Sequence, residues 1–248
     1  MIKLGSLLLD GTPRVAVSFG DNVAPGLLVS GKAAGLDIAE IRIDQFSSYD
    51  HDHVLRVVRK FGNIPTIATI RLQKEGGSWR GAEEDRLALF ETVLPYVDAA
   101  DVEMTSDIRH AVIRAAHDAG KLCVVSHHNF DTTELLQELT DLVEQAKSEG
   151  ADIVKIATQV ERREHLQTLA SLTLYHADQN VIVIGMGAVG LASRVFLPAL
   201  GSLITFAYVG KPTAPGQLHY QETFDLLRKM YPSYNQEKIN SLQLMESY

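Results

Sequence analysis

The chain has 248 residues, of which 46% are hydrophobic and 22% charged, with a formal net charge of -8. This is the balance of a globular protein with enough chain for one large domain. The charge speaks against a general binder of nucleic acid or anionic membrane, but it leaves room for a local basic pocket holding a small anion.

The N-terminal "MIKLGSLLLDGTPR" meets an Asp-Gly turn too early for a signal peptide, and no apolar run approaches the roughly 20 residues that span a bilayer. A cytoplasmic protein is expected. "LLLDGTPRV" reads as a hairpin with Asp10-Gly11 at its turn, able to plug the bottom of a barrel. Strand-like runs follow at 14–19, 37–44, 64–71, 99–104, 121–128, 151–158, 180–186 and 203–209. Between them lie segments of helical period such as "DHVLRVVRKFG", "EEDRLALFETVL", "DIRHAVIRAAHDAG" and "TTELLQELTDLVEQAKSEG". The last two end at Gly120 and Gly150, where a left-handed helix terminus favours glycine. "YQETFDLLRKMY" is a final helix, and the tail after Pro232 reads as surface helix without a role. Cys123, the single cysteine, sits in "KLCVVS" as a small core residue, and no internal disulfide is available.

Eight strands alternating with eight helices in about 250 residues is the pattern of a (β/α)₈ TIM barrel, here one catalytic domain over 1–248. A doubly wound open sheet is the alternative, because alternation alone does not prove closure.

Alternate residues of a barrel strand face the lumen. In "DIAEIRID", Ala39, Ile41 and Ile43 face the helices while Glu40, Arg42 and Asp44 share the inner side. The third strand ends in Arg71, with Glu75 in the loop beyond it. In "SHHN", Ser126 and His128 share one face and His127 takes the other. Lys155, between Val154 and Ile156, points inward. These charges gather at the C-terminal rim, where barrel enzymes build their sites. Buried salt bridges, such as Glu40 with Arg42 or Asp44 with Lys155, are the plainer explanation of any one pair. For the whole set, an apolar core would be simpler than so many buried charges. Apolar neighbours and nearby cations such as Arg42 or Arg71 would make the Lys155 amine a nucleophile toward a carbonyl carbon. His128 could then move a proton, with Glu75 orienting it. The residues alone point to imine-forming chemistry on a ketone.

At this point the sequence resembles the type I 3-dehydroquinate dehydratases. The likeness is carried by "EIRID" (40–44), "TIRLQKEGGSWRG" (69–81), "DVEMTS" (101–106), "VSHHNFDTT" (125–133), "ADIVKIAT" (151–158), "GLASRVF" (190–196) and "KPTAPGQL" (211–218). The resemblance implies dehydration of 3-dehydroquinate to 3-dehydroshikimate in the shikimate pathway, a syn elimination through a lysine Schiff base. Lys155 would form the imine, His128 would act as acid and base, and Glu75 would orient it. Arg194 would clamp the substrate carboxylate, while Glu40, Arg42 and Arg71 hold hydroxyls and the polar face of the ring. Thr213 and Gln217 would close over the substrate. No metal or organic cofactor is implied, and a homodimer is expected. Thr213 stands where members often carry serine, and Asn129 where they often carry aspartate; neither touches Lys155, His128 or Arg194.

Three other patterns compete. "GMGAVG" fits GxGxxG after a strand, but no acidic residue follows about 20 positions on, so its glycines more simply make room for Arg194. "HDH" (51–53) and His127–His128 have no third ligand at metal spacing, and a solvated helix start suffices. Trp79 reads either as a cap over the site or as a surface aromatic. The rival enzyme is a Schiff-base aldolase-type lyase, which would need a phosphate cradle, and the non-catalytic rival is a ligand-binding barrel.

Overall fold

The computed structural model describes residues 2–246 except 24, 25, 27, 29, 30 and 32–34, with side chains to residue 240. The helix expected between the first two barrel strands falls largely on positions outside the described residues.

Two short strands open the chain, β1 (Ile2–Leu4) and β2 (Leu7–Leu9), paired antiparallel. The register Leu4↔Leu7 leaves Gly5 and Ser6 as the two-residue turn, with Gly5 at φ 55°. A two-residue hairpin loop needs positive φ, which glycine supplies at no steric cost. Asp10-Gly11, expected at that turn, instead leads from the hairpin into the barrel.

Eight parallel strands follow: β3 (Arg14–Phe19), β4 (Ile38–Arg42), β5 (Thr66–Thr69), β6 (Ala99–Glu103), β7 (Leu122–Asn129), β8 (Ile153–Gln159), β9 (Val181–Met186) and β10 (Ile204–Tyr208). They are ordered β10-β3-β4-β5-β6-β7-β8-β9, so first and last strands pair and the sheet curls into a nearly closed barrel. The seam between β9 and β10 is bridged near its base, where Leu203 N donates to Val181 O at 3.0 Å. This is the (β/α)₈ architecture; the open-sheet alternative fails on the β10–β3 pairing.

The outer layer comprises α1 (His51–Val58), α2 (Glu83–Val93), α3 (Arg109–Asp118), α4 (Leu136–Ser148), α5 (Arg163–Tyr175), the one-turn α6 (Gly187–Gly190) and α7 (Ser193–Phe196), and α8 (Tyr220–Met230). Gly120 and Gly150 do end α3 and α4 in left-handed conformations, at φ 67° and 104°. Outward strand residues such as Ile41, Val102, Val125, Val154 and Ile156 pack against this layer, and buried Cys123 is among them.

The lumen is filled in levels. At its base Ala16, Ile38, Ile67, Ala99, Val124 and Ile153 meet Ile182 and Ile204, and Leu4 and Leu9 of the hairpin close that end. The tail, read as surface helix, is α9 (Pro232–Glu246), and it is anchored rather than free. Tyr234 is fully buried against Phe224, Lys238 pairs with buried Asp37, and Glu237 pairs with buried Arg14. Long-range contacts decide this placement, and the local helical pattern of the tail does not reveal them.

Candidate active site

One level above the apolar base, the same inward-facing positions turn polar: Ser18, Glu40, Thr69, Asp101, Ser126 and Lys155. They sit two residues along from Ala16, Ile38, Ile67, Ala99, Val124 and Ile153, as strand alternation requires. All are buried. Above them a cleft opens at the C-terminal rim. All nine residues singled out in the sequence, Glu40, Arg42, Arg71, Glu75, His128, Lys155, Arg194, Thr213 and Gln217, line it, together with Phe130, Met186 and Phe206.

Lys155 is 4% exposed, between outward Val154 and Ile156 as alternation predicts. Its partners differ from the expected ones. Nζ lies 3.2 Å from Asp101 Oδ2, 3.6 Å from Glu40 Oε1 and 4.0 Å from the centre of the Phe206 ring. The guanidinia expected beside it are engaged elsewhere. Arg42 makes a bidentate pair with Asp44 at 2.8 and 2.9 Å, so Asp44 serves Arg42 and not Lys155. Arg71 bonds Asp101 at 2.8 Å, Glu103 at 3.1 Å and the Ser126 hydroxyl oxygen at 2.6 Å. These carboxylates hold the Arg71 guanidinium firmly charged against the cost of its burial. Glu40 takes the Ser18 hydroxyl and, at 3.1 Å, the Thr69 hydroxyl.

The loop after β5 folds back on itself. Trp79 N donates to Arg71 O at 3.1 Å, and Gly77 lies so close to Arg71 that an added Cβ would sit 2.0 Å from its carbonyl oxygen. This turn carries Glu75 to His128. Its Oε2 accepts from the His128 backbone N–H at 3.1 Å and from Nδ1 at 3.0 Å, while Thr105 donates to Oε1 at 2.5 Å. With Nδ1 as donor, the lone pair of Nε2 is left for the cleft. Burial, reinforced by the nearby charges of Arg71 and Lys155, holds the imidazole well below its ordinary range, so His128 is uncharged at neutral pH. Burial likewise raises Glu75 above the usual carboxylate range. His127 takes the opposite face and pairs with Glu134 at 2.7 Å.

Arg194 differs from every other arginine of the cleft. It is 2% exposed, and among the described residues it forms no ion pair. Its two terminal nitrogens donate to the carbonyls of Phe206 (3.0 Å) and Pro215 (3.2 Å). Burial lowers its guanidinium to about 10, which still leaves it charged at neutral pH. An uncompensated buried cation at a cleft is a natural place for an anion. Its position depends on "GMGAVG". Gly190 packs so closely on Gly185 that a Cβ would approach 2.6 Å from the Gly185 carbonyl carbon, and Ser193 Oγ accepts from Gly185 N at 2.8 Å. The glycines seat α6 and α7 on β9. Beyond β10, Thr213 donates to Gln217 Oε1 through its backbone N–H (2.7 Å) and hydroxyl (3.0 Å), which closes that loop on itself.

Two sequence readings need correction or completion. Trp79 is neither cap nor surface aromatic: it is buried and packs on Tyr49 with ring centres 4.8 Å apart, away from the cleft. Sequence pattern alone assigns no role to Asp101 or Ser126, yet Asp101 contacts Lys155 directly. The signal for Asp101 was present, since Asp101 and Glu103 in "DVEM" repeat the every-second-residue pattern of Glu40 and Arg42. His51 and His53 are engaged by Thr92 (2.8 Å) and Asp21 (3.1 Å) at the start of α1.

Comparisons with known proteins point to one family. The family model "Type I 3-dehydroquinase" matches residues 26–234. A 3-dehydroquinate dehydratase of Methanosarcina barkeri is 34% identical over 241 residues, covering 92% of this chain and 98% of that protein. One from Methanococcoides burtonii is 32% identical, covering 90% and 96%. Among solved structures, the 3-dehydroquinate dehydratase of Aquifex aeolicus superposes with a TM-score of 0.79 at 31% identity, covering 88% of this chain and 99% of that one. The type I enzyme of Clostridium difficile shares the fold, with a TM-score of 0.83 at 24% identity over 94% and 98%.

Proposed function

The chain belongs to the type I 3-dehydroquinase family, and from that membership we propose that it dehydrates 3-dehydroquinate to 3-dehydroshikimate in the shikimate pathway, through an imine on Lys155. The observation that carries the reading is the juxtaposition in one cleft of a buried amine, an uncharged histidine anchored by a carboxylate, and a buried arginine with no counter-ion.

The substrate is a ring with a carboxylate and a hydroxyl on C1 and a ketone two carbons away on C3. Its carboxylate suits Arg194, whose planar fork can donate to two oxygens at once. Glu40, Arg42 and Arg71 line the wall that its hydroxyls would meet, and Thr213 with Gln217 borders the mouth. This orientation brings the ketone down to Lys155 at the floor. The amine nitrogen adds to the carbonyl carbon, and loss of the oxygen as water gives an iminium. That cation draws electrons from the adjacent carbon and acidifies its C–H bond. His128 takes the C2 proton on Nε2, and the same ring returns a proton to the departing hydroxide, so that water leaves in a syn elimination. Hydrolysis of the imine frees the product and restores the lysine. Glu75 fixes the tautomer and aim of the ring throughout.

The reading makes residues 1–248 one catalytic domain, a cytoplasmic homodimer acting on a small molecule. Among the described residues no helix is long and apolar enough to cross a membrane. Family membership favours the dehydratase over a Schiff-base aldolase. The deciding assay follows enone absorbance with 3-dehydroquinate and, in parallel, cleavage of a sugar phosphate. Enone formation by the wild type and its loss in Lys155→Ala is the expected result. Cleavage of the sugar phosphate without enone formation would favour the aldolase.

A further inference from the structure

We infer that Asp101 is the fixed counter-charge of the lysine adduct: its carboxylate, clamped from behind, stabilises the positive nitrogen carried at Lys155 from resting enzyme to iminium. The inference rests on the imine reading above and assigns to it a residue with no contact to substrate.

The two oxygens of Asp101 divide their work. Oδ1 accepts from Arg71 at 2.8 Å and from the Ser126 hydroxyl at 2.6 Å, while Oδ2 faces Lys155 Nζ at 3.2 Å. The residue is 1% exposed and lies beneath the cleft, outside its lining. A carboxylate in that position cannot bind substrate; the reacting atom it can act on is the lysine nitrogen. Glu40, the second carboxylate near Nζ, is 3.6 Å away and also lines the cleft, where substrate hydroxyls compete for it. The Phe206 ring completes the cation's surroundings from β10.

Charge balance explains why a fixed anion suits both ends of the step. Lysine ammonium plus ketone gives iminium plus water: one C–N bond forms, the carbonyl oxygen leaves with two protons from nitrogen, and one positive charge remains there. A carboxylate that keeps its own proton off therefore matches the starting and the final nitrogen without rearranging. Asp101 meets that condition. Its burial is outweighed by Arg71 and Lys155, which hold its carboxyl far below the usual range. Arg71 is in turn held charged by Asp101 and by Glu103 at 3.1 Å. On β7, His128 is kept uncharged, and burial pushes the Cys123 thiol well up. In the alkaline range the adduct nitrogen is the titrating group in contact with Asp101. Arg194, lowered to about 10, bonds the carbonyls of Phe206 and Pro215 instead, so its titration is common to wild type and variant.

The test is the pH dependence of kcat in Asp101→Asn beside the wild type, with borohydride trapping of the wild type as the internal control. Removing the anion disfavours the cationic iminium, so its proton is lost at lower pH. The alkaline fall of kcat should move down by about 1–3 pH units, the range for an opposite charge at this distance. KM should change less than the alkaline limb of kcat, because Asp101 reaches substrate only through Arg71, which Glu103 and Ser126 still hold, and Asp101→Glu should restore part of the shift. Ser126→Ala, which removes one clamp, should shift the limb the same way by less, and it decides the matter if Asp101→Asn does not fold. A trapped wild type with an unshifted alkaline limb in the folded variant overturns the counter-charge alone. A wild type that cannot be trapped overturns the imine reading and this inference with it.

Discussion

The base and the top of this barrel obey the same alternation and are filled in opposite ways. At the base, Ile38, Ile67, Val124 and Ile153 meet the hairpin leucines in an apolar plug. Two residues further along the same strands stand Glu40, Thr69, Ser126 and Lys155, all buried. Nothing in strand geometry distinguishes the two levels, and burying apolar side chains is the cheaper way to fill a lumen. The polar level is retained against that cost, and each charge in it has a named partner: Lys155 with Asp101 and Glu40, Arg71 with Asp101 and Glu103, Arg42 with Asp44. Arg194 alone, among the described arginines lining the cleft, has no carboxylate. The lower level holds the barrel together; the upper level is where stability yields to chemistry.

Substitutions at the two levels should therefore separate activity from stability. The largest effect is expected for Lys155→Ala, which removes the proposed nucleophile. Turnover should fall by on the order of 10⁴-fold or more, and the melting temperature should fall as well, since Asp101 and Glu40 lose the lysine as a buried partner. A variant as active as the wild type would erase the distinction between the levels. His128→Ala should lose about 10²–10⁴-fold in kcat while still forming an adduct that mass spectrometry detects, because the proposed mechanism makes attack by nitrogen and removal of the C2 proton separate steps.

At the other level, Ile153→Ala leaves a cavity against Leu4 and Leu9 and should cost about 2–5 kcal/mol of unfolding free energy, measured by urea titration. Its kcat should stay within about threefold of wild type. A large kcat loss at constant stability would show that the plug reaches the chemistry. Arg194→Lys keeps the charge and loses the fork, so kcat/KM should drop by about 10–100-fold, as for a charge-assisted hydrogen bond. Restoration with a substrate analogue lacking the carboxylate, relative to wild type, would locate the loss at that group.

The smallest effect concerns pH. The folded-state pKa of His128 lies below its unfolded value near 6.5. Between those two values the unfolded chain binds the extra proton, so this residue's contribution to stability is present above the unfolded pKa and is lost as pH falls below it. Asp101 is also depressed, and its contribution is lost only below about 4, where the unfolded carboxyl takes its proton. A plot of unfolding free energy against pH should thus decline first below about pH 6.5. His128→Asn should flatten that first decline by at most about 1.4 kcal/mol per pH unit, the slope for one proton. An unchanged slope would mean that His128 titrates alike in both states.

Much of this was legible in the sequence because it is local. Period-two alternation placed Lys155, Glu40 and Arg42 inward, and their position at strand ends put them on the catalytic rim. Gly120 and Gly150 ended their helices as glycine's freedom at positive φ suggests. What alternation does not encode is who faces whom. Lys155 meets Asp101 because β6, β7 and β8 are neighbours in register, with Asp101↔Val124 and Ser126↔Lys155 paired across them. The sequence reading placed the lysine beside arginines because the partner, 54 residues away, is set by that register. Non-local packing also decided the tail, where Lys238 meets Asp37 and Glu237 meets Arg14, each about two hundred positions earlier. The hairpin turn lies at Gly5-Ser6 and not at Asp10-Gly11, five residues further on, since both "GS" and "DG" are turn-forming and only the Leu4↔Leu7 pairing chooses between them.

The central claim is that the buried amine of Lys155 bonds covalently to substrate. The most direct test adds 3-dehydroquinate and borohydride to the wild-type protein and maps the adduct by mass spectrometry. A reduced adduct on the peptide carrying Lys155, absent from Lys155→Ala, is the result expected. Enone formation with no adduct on that peptide would contradict the account, leaving the fold and the family in place and the chemistry to be assigned anew.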